Sequence, residues 1–320
     1  MENNRIFKEM KDQNQVLITG AFGFVGSNLQ DYLKSSHEVE AMSVRYIPNQ
    51  QFDLKADVII HLAGKAHDLK KVSNPKDYYE ANFELTKQLF DAFLKSDVSV
   101  FVFMSTVKAV ADTVQGILNE EVKPNPKTHY GIAKQQAEEY ILSKEIPAGK
   151  RVYILRPCMI HGPGNKGNLN LLYQLVAKGL PWPLGAFENR RSFLSIENLC
   201  FVIKELLENA SIPSGVYQVA DDESLSTNEL IQLLGASLGK KTKIWKINAP
   251  FILLVAKLGD KIRLPLNSER LQKLTENYVV SNQKIVAAIG KPLPIQSKGG
   301  LLKTFDSFKK LNSIVCQTKQ

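Results

Sequence analysis

Short apolar runs alternate with longer segments of helical spacing along the first two-thirds of the chain. The runs have the length and residue types of buried strands, whereas apolar residues recur every three to four positions in the longer segments. The predicted strands cover residues 15–20, 38–44, 56–64, 99–106, 151–157 and 215–220, and the predicted helices cover 26–35, 77–96 and 130–145. This alternation predicts an α/β fold with a parallel sheet covered by helices on both faces. Ligands of such sheets bind at the carboxyl ends of the strands.

Beyond about residue 165 the alternation loosens. Gly and Pro become frequent in GPGNKGN and GLPWPLG, and helical and strand patterns mix. This change predicts a smaller, mixed C-terminal lobe built from interleaved segments. We predict a first domain over residues 15–165 together with about 193–221, a second lobe over 166–192 and 222–320, and a polar N-terminal extension over 1–14.

The composition is that of an ordinary soluble protein, with 44% apolar and 23% charged residues. No apolar run is long enough to span a bilayer, and the polar N-terminal stretch lacks the apolar core of a secretory signal. The three cysteines, Cys158, Cys200 and Cys316, are an odd number without metal-ligand spacing. These features predict a cytoplasmic protein with reduced cysteines and no metal site.

The net charge of +9 is compatible with nucleic acid, an anionic membrane or an acidic small ligand as partner. Lys and Arg are scattered, and no Arg-rich stripe with interleaved aromatic residues occurs. We therefore predict no nucleic-acid partner. Most of these lysines are interpreted as solvated surface residues.

The first predicted strand runs into TGAFGFVGS, where Gly20, Gly23 and Gly26 are spaced by three residues. The loop leaves a strand and opens a helix, which is the context of a dinucleotide-binding turn. Glycine is needed there because the turn is tight and the backbone must approach a pyrophosphate closely. The free N–H groups at the helix N-terminus then favour an anion.

A second candidate feature is YGIAK, in which Tyr130 and Lys134 stand one helical turn apart. This spacing alone decides nothing, because any two residues four apart share a helix face. Further motifs occur in a fixed order along the chain: TGAFGFVG (19–26), HLAG (61–64), Asn82 in YYEANFELT, FMST (103–106), YGIAK (130–134), LRPCMIHGPG (155–164) and RRSFLSIENL (190–199).

Together these motifs resemble the extended short-chain dehydrogenase/reductases, the NAD(P)-dependent sugar-nucleotide epimerases, dehydratases and reductases. The resemblance covers nearly the whole chain after about residue 15 and implies a Rossmann-type doubly wound sheet. The stretch over 165–193 is similar to a bacterial subgroup linked to polysaccharide biosynthesis. That subgroup contains proteins resembling UDP-glucose 4-epimerase and reductases of UDP-4-keto-sugars, so the resemblance implies a UDP-sugar or related nucleotide diphospho-sugar as substrate.

The resemblance implies that Tyr130 is the catalytic acid/base. A free tyrosine has a pKa of about 10, and a nearby ammonium group and the positive nicotinamide ring would favour its phenolate. Lys134 would supply that ammonium group and hold the nicotinamide ribose. Thr106 matches the third catalytic position, a hydroxyl that orients the substrate oxygen. Asn82 would brace the active-site end of the sheet.

The binding residues follow from the same resemblance. The implied cofactor site consists of Gly20, Phe22, Gly23, Phe24, Val25, Gly26, Ser43, Arg45, Leu62, Ala63, Gly64, Tyr130, Lys134 and Pro157. Substrate contacts are implied for Thr106, for Asn168 and Arg191 on the diphosphate, and for Trp182 near the base. A guanidinium fork suits a diphosphate. Trp182 has an alternative interpretation as a core residue.

Two departures from the family pattern reduce the number of reactions that the protein could catalyse. Dehydratases of this family carry Asp-Glu after the catalytic Thr, but Val107 and Lys108 follow Thr106 here. A valine and an ammonium group cannot perform that acid–base step, which excludes a dehydratase. Met159 also replaces a usual Asn. A 4-epimerase and a 4-ketoreductase remain open, and a non-catalytic NAD(P)-sensing regulator is the alternative from another class.

The end of the second predicted strand bears on the choice between NAD(H) and NADP(H). NAD-preferring members usually end this strand with Asp or Glu, whereas here Ser43 occupies that place and Arg45 follows. A hydroxyl and a guanidinium favour a 2′-phosphate, so NADP(H) is slightly favoured over NAD(H). The segment before ADVIIHLAG is also too short for the family's additional strand. The family further implies a homodimer, with 77–96 and 130–145 as its candidate interface helices.

Overall fold

The computed structural model describes residues 15–66, 74–165, 169–262 and 267–317. Its strands are β1 (Gln15–Thr19), β2 (Glu38–Met42), β3 (Val58–His61), β4 (Val100–Met104), β5 (Ile117–Leu118), β6 (Arg151–Pro157), β7 (Met159–His161), β8 (Phe193–Ser195), β9 (Gly215–Val219) and β10 (Val279–Val280). Every strand predicted from the apolar runs is present, within three residues at each end.

The α-helices are α1 (Phe24–Leu33), α2 (Pro75–Tyr79), α3 (Leu85–Lys95), α4 (His129–Leu142), α5 (Leu169–Ala177), α6 (Ile196–Glu208), α7 (Thr227–Leu238), α8 (Ala249–Ile262), α9 (Ser268–Thr275), α10 (Gln283–Ile289) and α11 (Ser297–Gln317). A π-helical turn, Glu80–Glu84, joins α2 to α3, and a 3₁₀ turn, Val107–Ala109, follows β4. Among the described helices, none combines the length and the apolar character needed to cross a membrane.

Six strands form one parallel sheet in the order β2-β1-β3-β4-β6-β9. The chain moves outward from β1 to β2 and then returns to β3 on the other side of β1. The crevice between β1 and β3 is therefore the topological switch point, where ligands bind in doubly wound sheets. Strand β2 is the edge of the sheet, in agreement with the short segment that follows it.

Helices cover both faces of this sheet, as predicted. In β1, Val16 and Ile18 belong to a core with α1 and α6, whereas Leu17 belongs to a second core with α3 and α4. The alternation follows from the two-residue period of a strand, which sends successive side chains to opposite faces. The sheet is thus buried between two helical layers and holds its strand ends rigidly.

A separate core lies outside the sheet and unites α5, α7, α8, α9 and α11. Its buried aromatic side chains include Phe305 and Phe308 of α11, Tyr173 of α5, and Trp182. Helix α10 packs instead on the sheet's core through Ile285 and Ile289. The domain boundaries given above stay a prediction. The C-terminal segments nevertheless divide between the two cores, since α10 joins the core of the sheet and the helices on either side of it join the outer core.

Candidate active site

The glycine loop leaves the carboxyl end of β1 in a conformation that excludes other residues. Gly20 has a φ of 70°, and a Cβ there would lie 2.7 Å from the Ala63 nitrogen. The Gly23 N–H donates to the Gly20 carbonyl across 3.0 Å, closing the turn. A Cβ on Gly26 would lie 2.4 Å from that same carbonyl oxygen. Side chains are thus excluded from both the turn and the start of α1.

Helix α1 begins directly at this loop, with Gly23 at its N-cap. Glycine has no side chain to accept from the first-turn N–H groups, so they stay available to an anion. The segment after β3 lies beside the loop, since Leu62 and Ala63 are the nearest neighbours of Gly20. Phe22 points outward and Phe24 reaches toward Gly162. These residues fit a dinucleotide pyrophosphate at the switch point.

His61, at the end of β3, organises this segment rather than facing a ligand. Its Nδ1 lies 2.7 Å from the Thr19 hydroxyl and its Nε2 lies 3.0 Å from the Thr86 hydroxyl. The Thr19 hydroxyl also accepts from the Ala63 N–H across 3.2 Å. Burial, with a smaller contribution from the charge of Lys134, lowers the pKa of His61 to about 3. His61 is therefore a neutral structural residue that fixes the backbone at Ala63.

Asn82 anchors the loop that follows β3, and the bracing role implied by the resemblance stays a prediction. It is fully buried on the π-helical turn, and its Oδ1 accepts from the Lys65 N–H across 3.1 Å. Its Nδ2 donates to the carbonyls of Lys65 and Tyr78. A Cβ on Gly64 would lie 2.6 Å from the Asn82 Oδ1 and 3.3 Å from the Lys134 Nζ. The loop after β3 thus packs tightly against Lys134.

The structure brings Thr106, Tyr130 and Lys134 together at the carboxyl end of β4. The Thr106 hydroxyl accepts from the Lys108 N–H across 3.2 Å and lies close enough to the Tyr130 hydroxyl to act on the Tyr130 pKa. The Lys134 ammonium donates to the Met104 carbonyl across 2.8 Å and lies 4.6 Å from the Phe103 ring centre. All three catalytic residues named from the sequence therefore share one site, although their roles stay a prediction.

The pKa of Tyr130 shifts upward in the structure, whereas a downward shift was predicted. Burial raises it to about 12 in the protein alone, and the hydrogen bond with Thr106 acts weakly in the opposite sense. Burial also lowers the pKa of Lys134 to about 7, although the carboxylate of Glu138 raises it. The lowering of the Tyr130 pKa therefore stays a prediction for the complex with a positively charged nicotinamide ring.

The contact between α4 and the 3₁₀ turn explains why Tyr130 meets Thr106. Thr128 caps α4 by accepting from the Gly131 N–H across 3.2 Å. A Cβ on Gly131 would lie 2.4 Å from the Lys108 carbonyl oxygen. Only glycine lets the first turn of α4 approach this turn so closely, and sequence reasoning missed this role.

Replacing Gly131 by Ala is expected to destabilise the protein by about 1–3 kcal/mol, because overpacking exceeds the gain of about 0.5–1 kcal/mol in helix propensity. Turnover should fall at least about tenfold, since Tyr130 shifts relative to Thr106. Urea unfolding and steady-state kinetics measure both effects. Gly299→Ala is the control, because a Cβ there has no neighbour within 4 Å. A Gly131→Ala variant as stable and active as the Gly299→Ala variant would contradict this account.

A buried ionic network lies behind the catalytic residues. Glu138 follows Lys134 by one helical turn and forms an ion pair with Arg156, and the two side chains are 2% and 6% exposed. The Arg156 Nε lies 3.0 Å from one carboxylate oxygen, and the Ser105 hydroxyl donates to the other. The network joins β4, β6 and α4 directly below Lys134. Sequence reasoning missed it, although Tyr130, Lys134 and Glu138 share one helix face.

Arg191 lies in a cluster of mixed charge near the predicted catalytic residues. Its guanidinium donates to the Lys273 carbonyl and lies 3.7 Å from a Glu276 oxygen. Burial lowers the pKa of Lys108, the carboxylates of Glu276 and Asp112 raise it, and the charges of Arg191 and Lys273 lower it. Lys108 follows Thr106 by two residues, so this cluster adjoins the predicted catalytic site. The Lys108 ammonium lies 4.3 Å from the Tyr278 ring centre.

The remaining predicted binding residues lie in different parts of the structure. Ser43 follows the end of β2, where Met42 pairs with Thr19, so it lies next to the glycine loop, and Arg45 is exposed nearby. Pro157 is buried at the end of β6. Trp182 is buried in the outer core, and its Nε1 donates to Asn228 across 3.0 Å, which favours the core interpretation.

Asn168 lies outside the described residues, and so does the N-terminal extension. The predicted roles of Asn168 and Trp182 toward a substrate stay predictions.

Fold and site together define a class: a doubly wound nucleotide-binding enzyme with a glycine loop at the switch point and a Tyr–Lys pair at the carboxyl end of the sheet. A sequence profile, described as the NAD dependent epimerase/dehydratase family, matches residues 16–220. The chain belongs to this family. This confirms the resemblance, the fold class and the prediction of an NAD(P)-dependent enzyme of the epimerase/dehydratase type, and it disfavours the regulator.

Similar proteins include a UDP-glucose 4-epimerase from Vibrio cholerae. It is 29% identical over an alignment of 332 positions, which covers 95% of this chain and 98% of that protein. The structure of UDP-glucuronic acid 4-epimerase from Bacillus cereus in complex with NAD has a TM-score of 0.70 at 19% identity, covering 93% of this chain and 99% of the other. RMD from Pseudomonas aeruginosa complexed with NADPH has a TM-score of 0.69 at 22% identity, covering 93% and 100%. At these identities, the two structures show the shared fold.

Proposed function

We propose that this protein carries out redox chemistry at C4 of a nucleotide diphospho-sugar, with a UDP-linked sugar as substrate. The reaction is a 4-epimerisation or a 4-keto reduction in bacterial surface polysaccharide biosynthesis. The observation that carries the proposal is the meeting of Thr106, Tyr130 and Lys134 beside the glycine loop. In this arrangement Tyr130 exchanges a proton with the sugar hydroxyl, and Thr106 orients the same oxygen.

The bound nicotinamide would supply or accept the hydride. Lys134 would hold its ribose, because the ammonium lies at the loop that includes Gly64. A Cβ on Gly64 would lie 2.6 Å from the Asn82 Oδ1, which leaves no room for a side chain under the cofactor. Exclusion of water there would strengthen the interactions of the catalytic charges.

Arg191 and Lys108 support an anionic substrate. Arg191 would exchange its ion pair with Glu276 for the diphosphate, and Lys108 adds positive charge beside it. The Vibrio cholerae relative, named for UDP-glucose, supports uridine as the base. The dehydratase interpretation remains excluded, because the position after Val107 is filled by an ammonium that donates to the Asp112 carbonyl.

The reaction is tested with purified protein, UDP-glucose, UDP-N-acetylglucosamine and a UDP-4-keto-6-deoxy-sugar. A 4-epimerase would interconvert the 4-hydroxyl configuration without net consumption of cofactor, as seen by proton NMR. A 4-ketoreductase would instead oxidise one NADPH for each sugar reduced. This oxidation is measured as the loss of the absorbance of the reduced nicotinamide. No turnover of any nucleotide sugar with either cofactor would refute the proposal.

We further propose a preference for NADP(H). NADPH is expected to bind more tightly than NADH, and Arg45→Ala should weaken NADPH binding by about three- to tenfold, a moderate effect because the guanidinium is exposed. Fluorescence titration measures both affinities. Lys55→Ala removes an exposed cation from the same loop and serves as the control. Tighter binding of NADH, unchanged by the Arg45→Ala substitution, would reverse the assignment and favour the epimerase.

The homodimer also remains a proposal. Its interface would use α4 and the helical segment from α2 to α3, which pack on the same face of the sheet. Light scattering of the purified protein measures the oligomeric state directly. A monomer at micromolar concentration would refute this interface.

A further inference from the structure

Helix α8, on the outer lobe, is apolar on two sides but buried on only one. Ile252 and Ala256 enter the outer core and are 5% and 1% exposed. On another side, Phe251, Leu254 and Leu258 recur at intervals of three and four residues and remain 58%, 56% and 51% exposed. Residues at this spacing form one continuous stripe along a helix. An exposed apolar stripe of this kind marks an interaction surface.

Lysines border this stripe. Lys257 and Lys261 are both exposed and stand three residues after Leu254 and Leu258, so they form a parallel row on the adjoining side of the helix. We call Phe251, Leu254, Leu258, Lys257 and Lys261 the α8 face. Within the described part of the chain, neither lysine forms an ion pair. Their charges are therefore available to an anionic partner.

The segment that leads into α8 is also positively charged and carries an exposed aromatic residue. Residues 240–261 contain six lysines and one acidic residue, so their net charge is +5, more than half of the chain's +9. The acidic residue, Asp260, is engaged with the Ser268 hydroxyl across 2.6 Å. Trp245, 53% exposed, stands four residues before the helix. Aromatic and aliphatic side chains beside unpaired lysines are typical of segments that lie in a membrane interface.

This composition distinguishes a lipid surface from a protein partner. Lysine is depleted from protein–protein interfaces, and two copies of the α8 face would bring like charges together. An anionic bilayer instead attracts each lysine and accepts the apolar stripe among its acyl chains. The helix is too short and too charged to cross a membrane, so it would lie parallel to the surface.

We infer that the α8 face docks the protein on anionic phospholipid membranes. Phe251, Leu254 and Leu258 enter the interfacial layer, and Lys257 and Lys261 contact the lipid phosphates. The outer lobe then rests on the bilayer, while the sheet and its cofactor loop stay in water. The binding is peripheral and reversible, since its electrostatic part is screened by salt.

The test is co-sedimentation of the full chain with vesicles of phosphatidylglycerol and phosphatidylcholine in equal amounts, and with vesicles of phosphatidylcholine alone. The protein should bind the mixed vesicles, bind pure phosphatidylcholine at least about tenfold more weakly, and be released by about 0.5 M salt. Lys257→Glu with Lys261→Glu should weaken binding to the mixed vesicles at least about tenfold. Leu254→Ser with Leu258→Ser should do the same.

The controls change the same chemistry elsewhere. Lys55→Glu with Lys123→Glu alters the net charge equally at exposed sites, and Ile117→Ser removes an exposed aliphatic side chain from β5, all outside the proposed dimer helices. Both should bind the mixed vesicles like the unmodified protein. Circular dichroism checks the fold of each variant, and the lysine pair decides the outcome if the serine variant fails to fold.

Three results would overturn the inference. The first is no binding of the unmodified protein to mixed vesicles, and the second is an equal loss of binding in the control variants. The third is a dimer that the combined Leu254→Ser and Leu258→Ser replacement dissociates in light scattering, which would show that a second copy covers this face.

Discussion

Replacing Tyr130 by Phe is expected to lower turnover by about 10²- to 10⁴-fold, the range of general acid–base groups, with little change in folding or cofactor binding. The substitution removes one hydroxyl, whose partner in the protein is Thr106. Thr106 keeps its hydrogen bond from the Lys108 N–H, so no buried group loses its only partner. Initial rates with a nucleotide sugar, together with nicotinamide titration, separate the chemical step from binding.

Tyr140→Phe is the matched control, because it removes a hydroxyl from the same helix. That hydroxyl donates to Asp91 across 2.6 Å, away from Thr106 and Lys134. The Tyr140→Phe variant should keep near-normal turnover, although the loss of a hydrogen bond to a carboxylate should cost about 1.5–3 kcal/mol of stability. If the Tyr130→Phe variant also keeps near-normal turnover, Tyr130 is not the acid/base, although the fold and family would be unaffected.

The fold follows from periodicity because strands and helices of this sheet alternate without interruption. Runs such as VFVFM in β4 are buried on both faces and therefore entirely apolar. The helix over 77–96 shows the limit of such reasoning. It contains a π-helical turn at Glu80–Glu84, where Asn82 bonds to Lys65 and Tyr78. A π turn arises from such side-chain contacts, not from a repeat in the sequence, so periodicity gives one continuous helix.

The candidate site was predictable where family motifs mark it. Thr106 precedes the Tyr130–Lys134 pair by more than twenty residues, yet their shared position at the strand ends follows from the parallel topology. Gly131 and Glu138 were not predicted, because their importance depends on a partner from another element. The carboxylate of Glu138 looks like an exposed helix residue until Arg156 is placed opposite it. An arginine within the apolar strand RVYILRP is the signal that was available.

The exposed side of α8 was likewise hidden in the sequence. APFILLVAKLG is typical of an apolar core helix interrupted by Lys257, and its exposed stripe is visible only when α8 is packed on the outer core. Patterns along a chain give the faces of a helix, but which face meets the core depends on neighbours that are distant in sequence.

Glu138→Gln is expected to lower the free energy of unfolding by about 3–5 kcal/mol, because it leaves the guanidinium of Arg156 buried without a counter-charge. The change is isosteric, so the loss reflects charge rather than shape. It also removes the carboxylate that raises the pKa of Lys134, which burial already lowers to about 7. Charged Lys134 would then be confined to lower pH, and the alkaline limb of the pH–rate profile should move to lower pH.

Urea unfolding measures the predicted change in the free energy of unfolding, with two further variants for comparison. Asp31→Asn breaks the exposed Lys34–Asp31 pair, whose side chains are 69% and 75% exposed, and should cost less than about 1 kcal/mol. Glu138→Gln combined with Arg156→Met removes both buried charges and should recover most of the stability lost by Glu138→Gln alone. That recovery would show that the penalty arises from the unpaired charge of Arg156. Equal destabilisation by Glu138→Gln and Asp31→Asn, or no recovery in the double variant, would contradict the network's role in holding β4, β6 and α4 together beneath Lys134.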